Sequence, residues 1–237
     1  MHRIGMLTPS SNTVLEPVSA RLVRDMPDIS LHVSRFRVTQ IALDAAALGQ
    51  FDDAPMLDAA ELLGHAKVDV ITWNGTSASW LGLDTDRRLV QRIQERTGIP
   101  ATTCVLTLAD LLRRHGLSRI GLITPYTSDV QERIVANLRR EGFETVTESH
   151  LGIRDNHAFG LVSAGELDRM MEAVAAAKPD AVVVLCTNLA GAPRVADWEL
   201  RFGIPVLDSV LVTLFGALIA LGAEPKPLGA FGRLLAD

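Results

Sequence analysis

Val68-Asp-Val-Ile-Thr-Trp-Asn-Gly-Thr-Ser77 and Pro179-Asp-Ala-Val-Val-Val-Leu-Cys-Thr-Asn188 look like two copies of one motif. Each has an aspartate, a short apolar run and then small polar residues with a threonine in register. Apolar runs of this length bounded by polar residues read as buried strands of a parallel sheet. Gly75 and Cys186 each lie six residues beyond the aspartate, so one copy carries glycine where the other carries cysteine.

The correspondence extends outward from this pair. Ile4-Gly-Met-Leu-Thr-Pro9 matches Ile120-Gly-Leu-Ile-Thr-Pro125, and Gly98-Ile-Pro100 matches Gly203-Ile-Pro205. The three offsets, 116, 111 and 105 residues in chain order, shrink steadily as the second copy loses loop residues. Between these marks the pattern predicts helices at about 13–25, 54–66, 84–96, up to about 114, and 128–141. It predicts strands at 29–38 and 143–151, a brief strand after Pro100, and a loop over 74–82.

Strands alternating with helices argue for an α/β protein of two pseudo-symmetric lobes. Each lobe is expected to be a mainly parallel sheet flanked by helices, with a site in the cleft where the strand ends meet. The boundaries expected are 1–115 for the first lobe, with a return of the C-terminal segment at about 206–237, and 116–205 for the second. No linker-like segment separates them, so the lobes should pack closely.

Composition narrows the function classes. With 48% hydrophobic against 22% charged residues the chain can build a real core. A formal net charge of −5 without a Lys/Arg block offers nothing to nucleic acid or an anionic membrane. A proline arrives by position 9, before any signal-peptide core. The longest apolar stretch, 210–221, is shorter than the roughly 20 residues of a membrane span. It reads as a core helix or an interface helix in a homo-oligomer. The expectation is a cytoplasmic protein whose two cysteines are thiols, not a disulfide framework.

Cys186 at a strand end reads either as a small buried hydrophobe or as a reactive thiol, and its mirror position at Gly75 favours the second. Cys104 starts a helix opposite Ser209 in the repeat, and reads as a core thiol with a minor site role left open. The segment Gly75-Thr-Ser-Ala-Ser79 offers hydroxyls and backbone donors to an anion, or else caps the following helix. Tyr126, the only tyrosine, stands opposite Ser10 in the repeat and is either a donor to developing charge or a half-buried ring. Asn12 and Asn156 are caps and turn formers or substrate donors. There is no Gly-x-Gly-x-x-Gly, phosphate loop or Gly-x-Ser-x-Gly elbow, and the six histidines form no metal-like spacing, so a cofactor-independent site without metal is expected.

These residues resemble the aspartate/glutamate racemase superfamily, and within it the branch of maleate cis-trans isomerases and arylmalonate decarboxylases. Pro9-Ser-Ser-Asn-Thr13 and Cys186-Thr-Asn-Leu189 are similar to the isomerase motifs. Gly75-Thr-Ser-Ala-Ser-Trp80 is similar to the decarboxylase loop, and Thr124-Pro-Tyr126 fits both. The resemblance implies paired cysteines at positions 75 and 186 in racemases and isomerases, and glycine with cysteine in decarboxylases. This chain has Gly75 with Cys186.

By that resemblance Thr76, Ser77 and Tyr126 would hold the retained carboxylate and its developing charge, and Cys186 would deliver a proton. Asn12, Gly75, Asn156, Thr187, Asn188 and Ser10 would bind the substrate, a small dicarboxylate. The expected activity is decarboxylation of a malonate-type acid. An isomerase or racemase working with one cysteine, and a non-catalytic carboxylate-binding protein, are the alternatives. On the mirrored geometry, Gly75→Cys would create a two-thiol site.

Overall fold

The computed structural model describes residues 1–236. The chain begins with β1 (His2–Pro9), α1 (Leu15–Leu22), β2 (Ile29–Phe36), α2 (Ala45–Gly49), α3 (Asp53–His65) and β3 (Val70–Trp73). It continues through α4 (Ala78–Leu81), α5 (Leu83–Thr97), β4 (Ala101–Thr103) and α6 (Cys104–Arg114). The second half runs β5 (Arg119–Thr124), α7 (Ser128–Arg140), β6 (Glu144–His150), α8 (Asn156–Phe159), α9 (Ala164–Ala175) and β7 (Ala181–Val184). It ends with α10 (Val195–Phe202), β8 (Val206–Asp208) and α11 (Ser209–Ala220).

The strands form two four-stranded sheets of the same order, β2-β1-β3-β4 and β6-β5-β7-β8, and every pairing is parallel. The duplicated α/β unit is therefore present in the fold. Its repeated aspartates have the same task in each half: Asp69 Oδ2 accepts the N–H of Arg3 at 2.7 Å, and Asp180 Oδ2 that of Arg119 at 2.9 Å. Each ties the start of a central strand to its neighbour. Gly98 and Gly203, with φ of 71° and 70°, end α5 and α10 in the left-handed conformation that glycine adopts without a Cβ clash.

Local chemistry explains where the elements depart from the periodicity. The first helix is regular from Leu15, not 13, and Asn12 Oδ1 serves the turn before it, accepting the N–H groups of Val14 and Leu15 at 3.0 and 2.9 Å. The expected loop 74–82 contains α4, whose turn closes with Leu81 N–H to Ser77 O and with Ser79 Oγ to Thr76 O at 2.6 Å. A turn so short leaves no helical period to detect.

The apolar stretch near the C-terminus is a core helix. In α11 the residues from Ser209 to Leu218 are buried, and it packs on α6, α1, β3 and β4 of the first lobe. Val206–Asp208 pairs with β7 as the edge strand of the second sheet, and α11 follows it onto the first lobe. Among the described residues no helix is long and apolar enough to cross a membrane.

Candidate functional site

The carboxyl ends of β3 and β7 bring the two copies of the motif together. Thr76 Oγ1 and the Tyr126 hydroxyl lie 2.6 Å apart across the junction of the lobes. The Tyr126 hydroxyl and the Cys186 thiol lie close enough to perturb each other's ionisation. Cys186 Sγ accepts the N–H of Asn188 at 3.4 Å. Thr76, Ser77, Tyr126 and Cys186 are all buried. Ser79 N–H and Trp80 N–H return to Thr76 O and Ser77 O, which leaves the earlier amides of Gly75, Thr76 and Ser77 outside the helix's own bonding.

Burial sets the protonation of this cluster. It pushes the Cys186 thiol up to about 12, against the Asn188 N–H and the Tyr126 hydroxyl, which pull it down. Burial also holds the Tyr126 phenol well above its ordinary value, and the adjoining Cys186 adds to the effect. At neutral pH both groups keep their protons.

The asparagines do more structural work than the sequence shows. While Asn12 Oδ1 serves the turn before α1, its Nδ2 donates across the lobes to Thr187 Oγ1 at 3.2 Å, and Thr187 donates on to Asn74 O at 3.0 Å. Asn188 Oδ1 accepts the N–H groups of Thr13 and Val14 at 2.9 and 3.2 Å, and its Nδ2 donates to Asn156 O at 2.5 Å. Asn156 Nδ2 donates to Ser11 Oγ at 2.7 Å. Asn12, Asn156, Thr187 and Asn188 are thus gathered beside Cys186 as a network joining the lobes. Ser10 is not among them: it is exposed, and its Oγ is within bonding distance of Val38 N–H and Val38 O at 3.3 and 3.4 Å.

Gly75 has a steric cause. A Cβ built on it would lie 2.0 Å from Trp73 Cζ2 and 2.5 Å from Cε2 and Cη2. The indole is fully buried, rests on Phe36 with centroids 5.1 Å apart, and has an Nε1 without a partner. In the repeat Trp73 corresponds to Val184, so the first lobe has a large ring and no side chain where the second has valine and a thiol. A thiol at position 75 would have to displace the Trp73 indole from its place in this structure.

Tyr126 stands in an aromatic row. Trp80 meets it edge-on at 5.2 Å, Phe159 does so at 5.5 Å, and Phe51 extends the row to Trp80 at 5.7 Å. Trp73, Trp80 and Phe159 were not singled out from the sequence as site residues. The tryptophans flank Gly75 inside the quoted motifs, which was the available signal, whereas nothing local marks Phe159. Cys104 sits apart at the α6–α11 junction, its Sγ 3.5 Å from Ser209 O, and burial pushes it up to about 12. Among the described residues no group of histidine, cysteine or carboxylate side chains could hold a metal.

The geometry has counterparts in known proteins. The chain is 31% identical over 247 residues to a maleate isomerase of Pseudomonas putida, covering 99% of this chain and 97% of the relative. It is 29% identical over 234 residues to an arylmalonate decarboxylase of Bordetella bronchiseptica, covering 98% and 95%. Its fold superposes with a TM-score of 0.90 on the Nocardia farcinica maleate cis-trans isomerase, in a cysteine-to-serine variant with a covalently bound succinylcysteine intermediate. Sequence identity there is 25%, over 99% of this chain and 98% of that one. The family model described as arylmalonate decarboxylase matches residues 6–235, so the chain belongs to that family, with maleate isomerases among its relatives.

Proposed function

We propose that the protein is a cofactor-independent decarboxylase of a malonate-type or related small dicarboxylic acid. The observation that carries this reading is the indole of Trp73 in the space of a side chain at position 75. With one wall filled by a ring, the cleft has a single thiol, and a single proton donor is what decarboxylation with one-sided protonation requires.

One substrate carboxylate is held by Thr76, Tyr126 and the amides of Gly75 to Ser77. The other faces the aromatic row, where poor solvation of its charge favours departure as CO₂. The bond breaks with its electron pair left on the α-carbon and delocalised into the held carboxylate as an enediolate. The Thr76–Tyr126 pair donates to the growing negative charge, an effect worth about 10²–10³ in turnover for each donor of this kind. Cys186 S–H then protonates the α-carbon, and water reprotonates the thiolate. The balance is dianion plus one proton giving CO₂ and a monocarboxylate.

Isomerisation of a small dicarboxylate is the second reading, supported by the relatives named maleate isomerase. It asks for a nucleophilic thiolate. A thiol at about 12 is ionised to roughly one part in 10⁵ at pH 7, which favours proton donation over attack. The test is a panel of substituted malonates in D₂O, scored for CO₂ and for one α-deuterium in the product, beside maleate scored for fumarate. Decarboxylation predicts both signals from a malonate and their loss in Cys186→Ala. Fumarate formation without CO₂ release from any malonate would replace it by the isomerase reading.

A further inference from the structure

We propose a second catalytic centre, a serine esterase triad of Ser128, His150 and Glu148, in the groove between α7 and β6. Ser128 is the first residue of α7, while Glu148 and His150 are two apart on β6 and so share one face of the strand. Ser128 Oγ lies 3.0 Å from His150 Nε2, and His150 Nδ1 lies 2.9 Å from Glu148 Oε2. A carboxylate can only accept, so the contact is made by Nδ1–H, and in the neutral imidazole this tautomer turns the Nε2 lone pair toward the serine hydroxyl, the arrangement a general base needs.

The acid is held from behind. Buried Gln131 donates from Nε2 to the same Glu148 oxygen at 2.9 Å, and its own Oε1 accepts from Thr124 at 2.7 Å. The groove has a volume of about 750 Å³, a size suited to a small molecule, and Ser128, Gln131, Val135, Arg139, Glu148 and His150 are on its walls. The first-turn amides of α7 favour negative charge beside Ser128. Asp129 competes for them: Thr127 Oγ1 donates to its carboxyl, and that bond with the neighbouring amides holds it below the usual carboxylate range. Farther along the groove Arg139 and Arg140 stand beside Glu132 on its walls, and the excess of positive charge there favours a short carboxylic ester with an acidic tail.

In the acylation step Ser128 Oγ adds to the ester carbonyl as His150 Nε2 takes the hydroxyl proton. The carbon–oxygen bond to the alcohol then breaks, and the alcohol leaves with that proton. Water repeats the sequence on the acyl-serine and releases the acid. Glu148 is a positioning residue that acts through His150.

The experiment treats the full chain with a fluorophosphonate, maps the adduct by mass spectrometry, and follows 4-nitrophenyl acetate and 4-nitrophenyl hydrogen succinate. The expected results are one adduct on Ser128 and faster turnover of the succinate ester, a preference that Arg139→Gln removes. Ser128→Ala and His150→Gln should each lose roughly 10³-fold, and Glu148→Gln should move the acid limb of the pH profile. Circular dichroism checks each fold, and labelling of the wild-type chain decides even if Ser128→Ala fails to fold. An adduct elsewhere, no adduct, or wild-type ester turnover in His150→Gln overturns the proposal.

Discussion

The Trp73 indole and the missing side chain of Gly75 are one feature: a Cβ on Gly75 would sit 2.0 Å from the ring. Either residue changed toward its repeat mate alone carries a cost. A lone Gly75→Cys must push a fully buried ring out of place, and overpacking of that kind costs about 1–3 kcal/mol. A lone Trp73→Val leaves a cavity costing about 3–5 kcal/mol, by analogy with other large-to-small changes. The double variant should be more stable than the sum of the two losses predicts, by at least about 1 kcal/mol of coupling. Urea unfolding of all four proteins measures it, and additive losses would show that the indole does not exclude a side chain at 75. Exchange of the α-proton of a racemisable acid should appear in the double variant before it appears in Gly75→Cys.

The 2.6 Å contact between Thr76 Oγ1 and the Tyr126 hydroxyl makes these residues a unit. Tyr126→Phe removes a donor from the proposed anion hole and should lower kcat about 10²–10³-fold, with a smaller rise in KM from the weaker hold on the bound carboxylate. Thr76→Ala removes a donor too and leaves a buried phenol short of a partner, adding a stability loss of about 1–3 kcal/mol. Steady-state kinetics and thermal melts separate the two effects. Equal melting temperatures for wild type and Thr76→Ala would contradict the role given to the pair.

With its thiol pushed up to about 12, Cys186 should resist alkylation in the folded protein. At pH 8 roughly one thiol in 10⁴ is ionised at that value. Iodoacetamide should therefore modify it far more slowly in the native protein than in urea, as followed by peptide mass. Rapid native modification would point to a thiolate and toward the isomerase reading.

Two buried carboxyls, Asp86 and Asp208, are held up at about 7 by desolvation, each with one oxygen that has no partner. The unfolded chain ionises them near 4, so between about pH 4 and 7 the folded state binds more protons than the unfolded one. Stability is therefore fullest below about pH 4, as far as these two groups are concerned. It declines as pH rises to about 7, by up to about 1.4 kcal/mol per pH unit for each group, and is level above that. Asp86→Asn and Asp208→Asn should each flatten the decline in urea midpoints between pH 4.5 and 8. Asn also retains the helix cap that Asp208 forms on α11 through Val210 N–H at 2.8 Å. Unchanged slopes in both variants would mean that the carboxyls are not protonated in the fold.

The sequence by itself determined the α/β class, the duplicated unit and the opposition of Gly75 to Cys186. Those properties rest on local periodicity and on motifs repeated at regular offsets, such as Asp69 with Asp180 and Gly98 with Gly203. Tertiary structure alone decided what surrounds position 75, because Trp73 lies two residues away and only the packed direction of its ring shows that it fills that space. It likewise drew Phe159 to Tyr126, left Ser10 at the surface and turned Asn12 and Asn188 into a joint between lobes. Each of these depends on contacts between segments far apart in the chain, and residue spacing carries no record of such contacts.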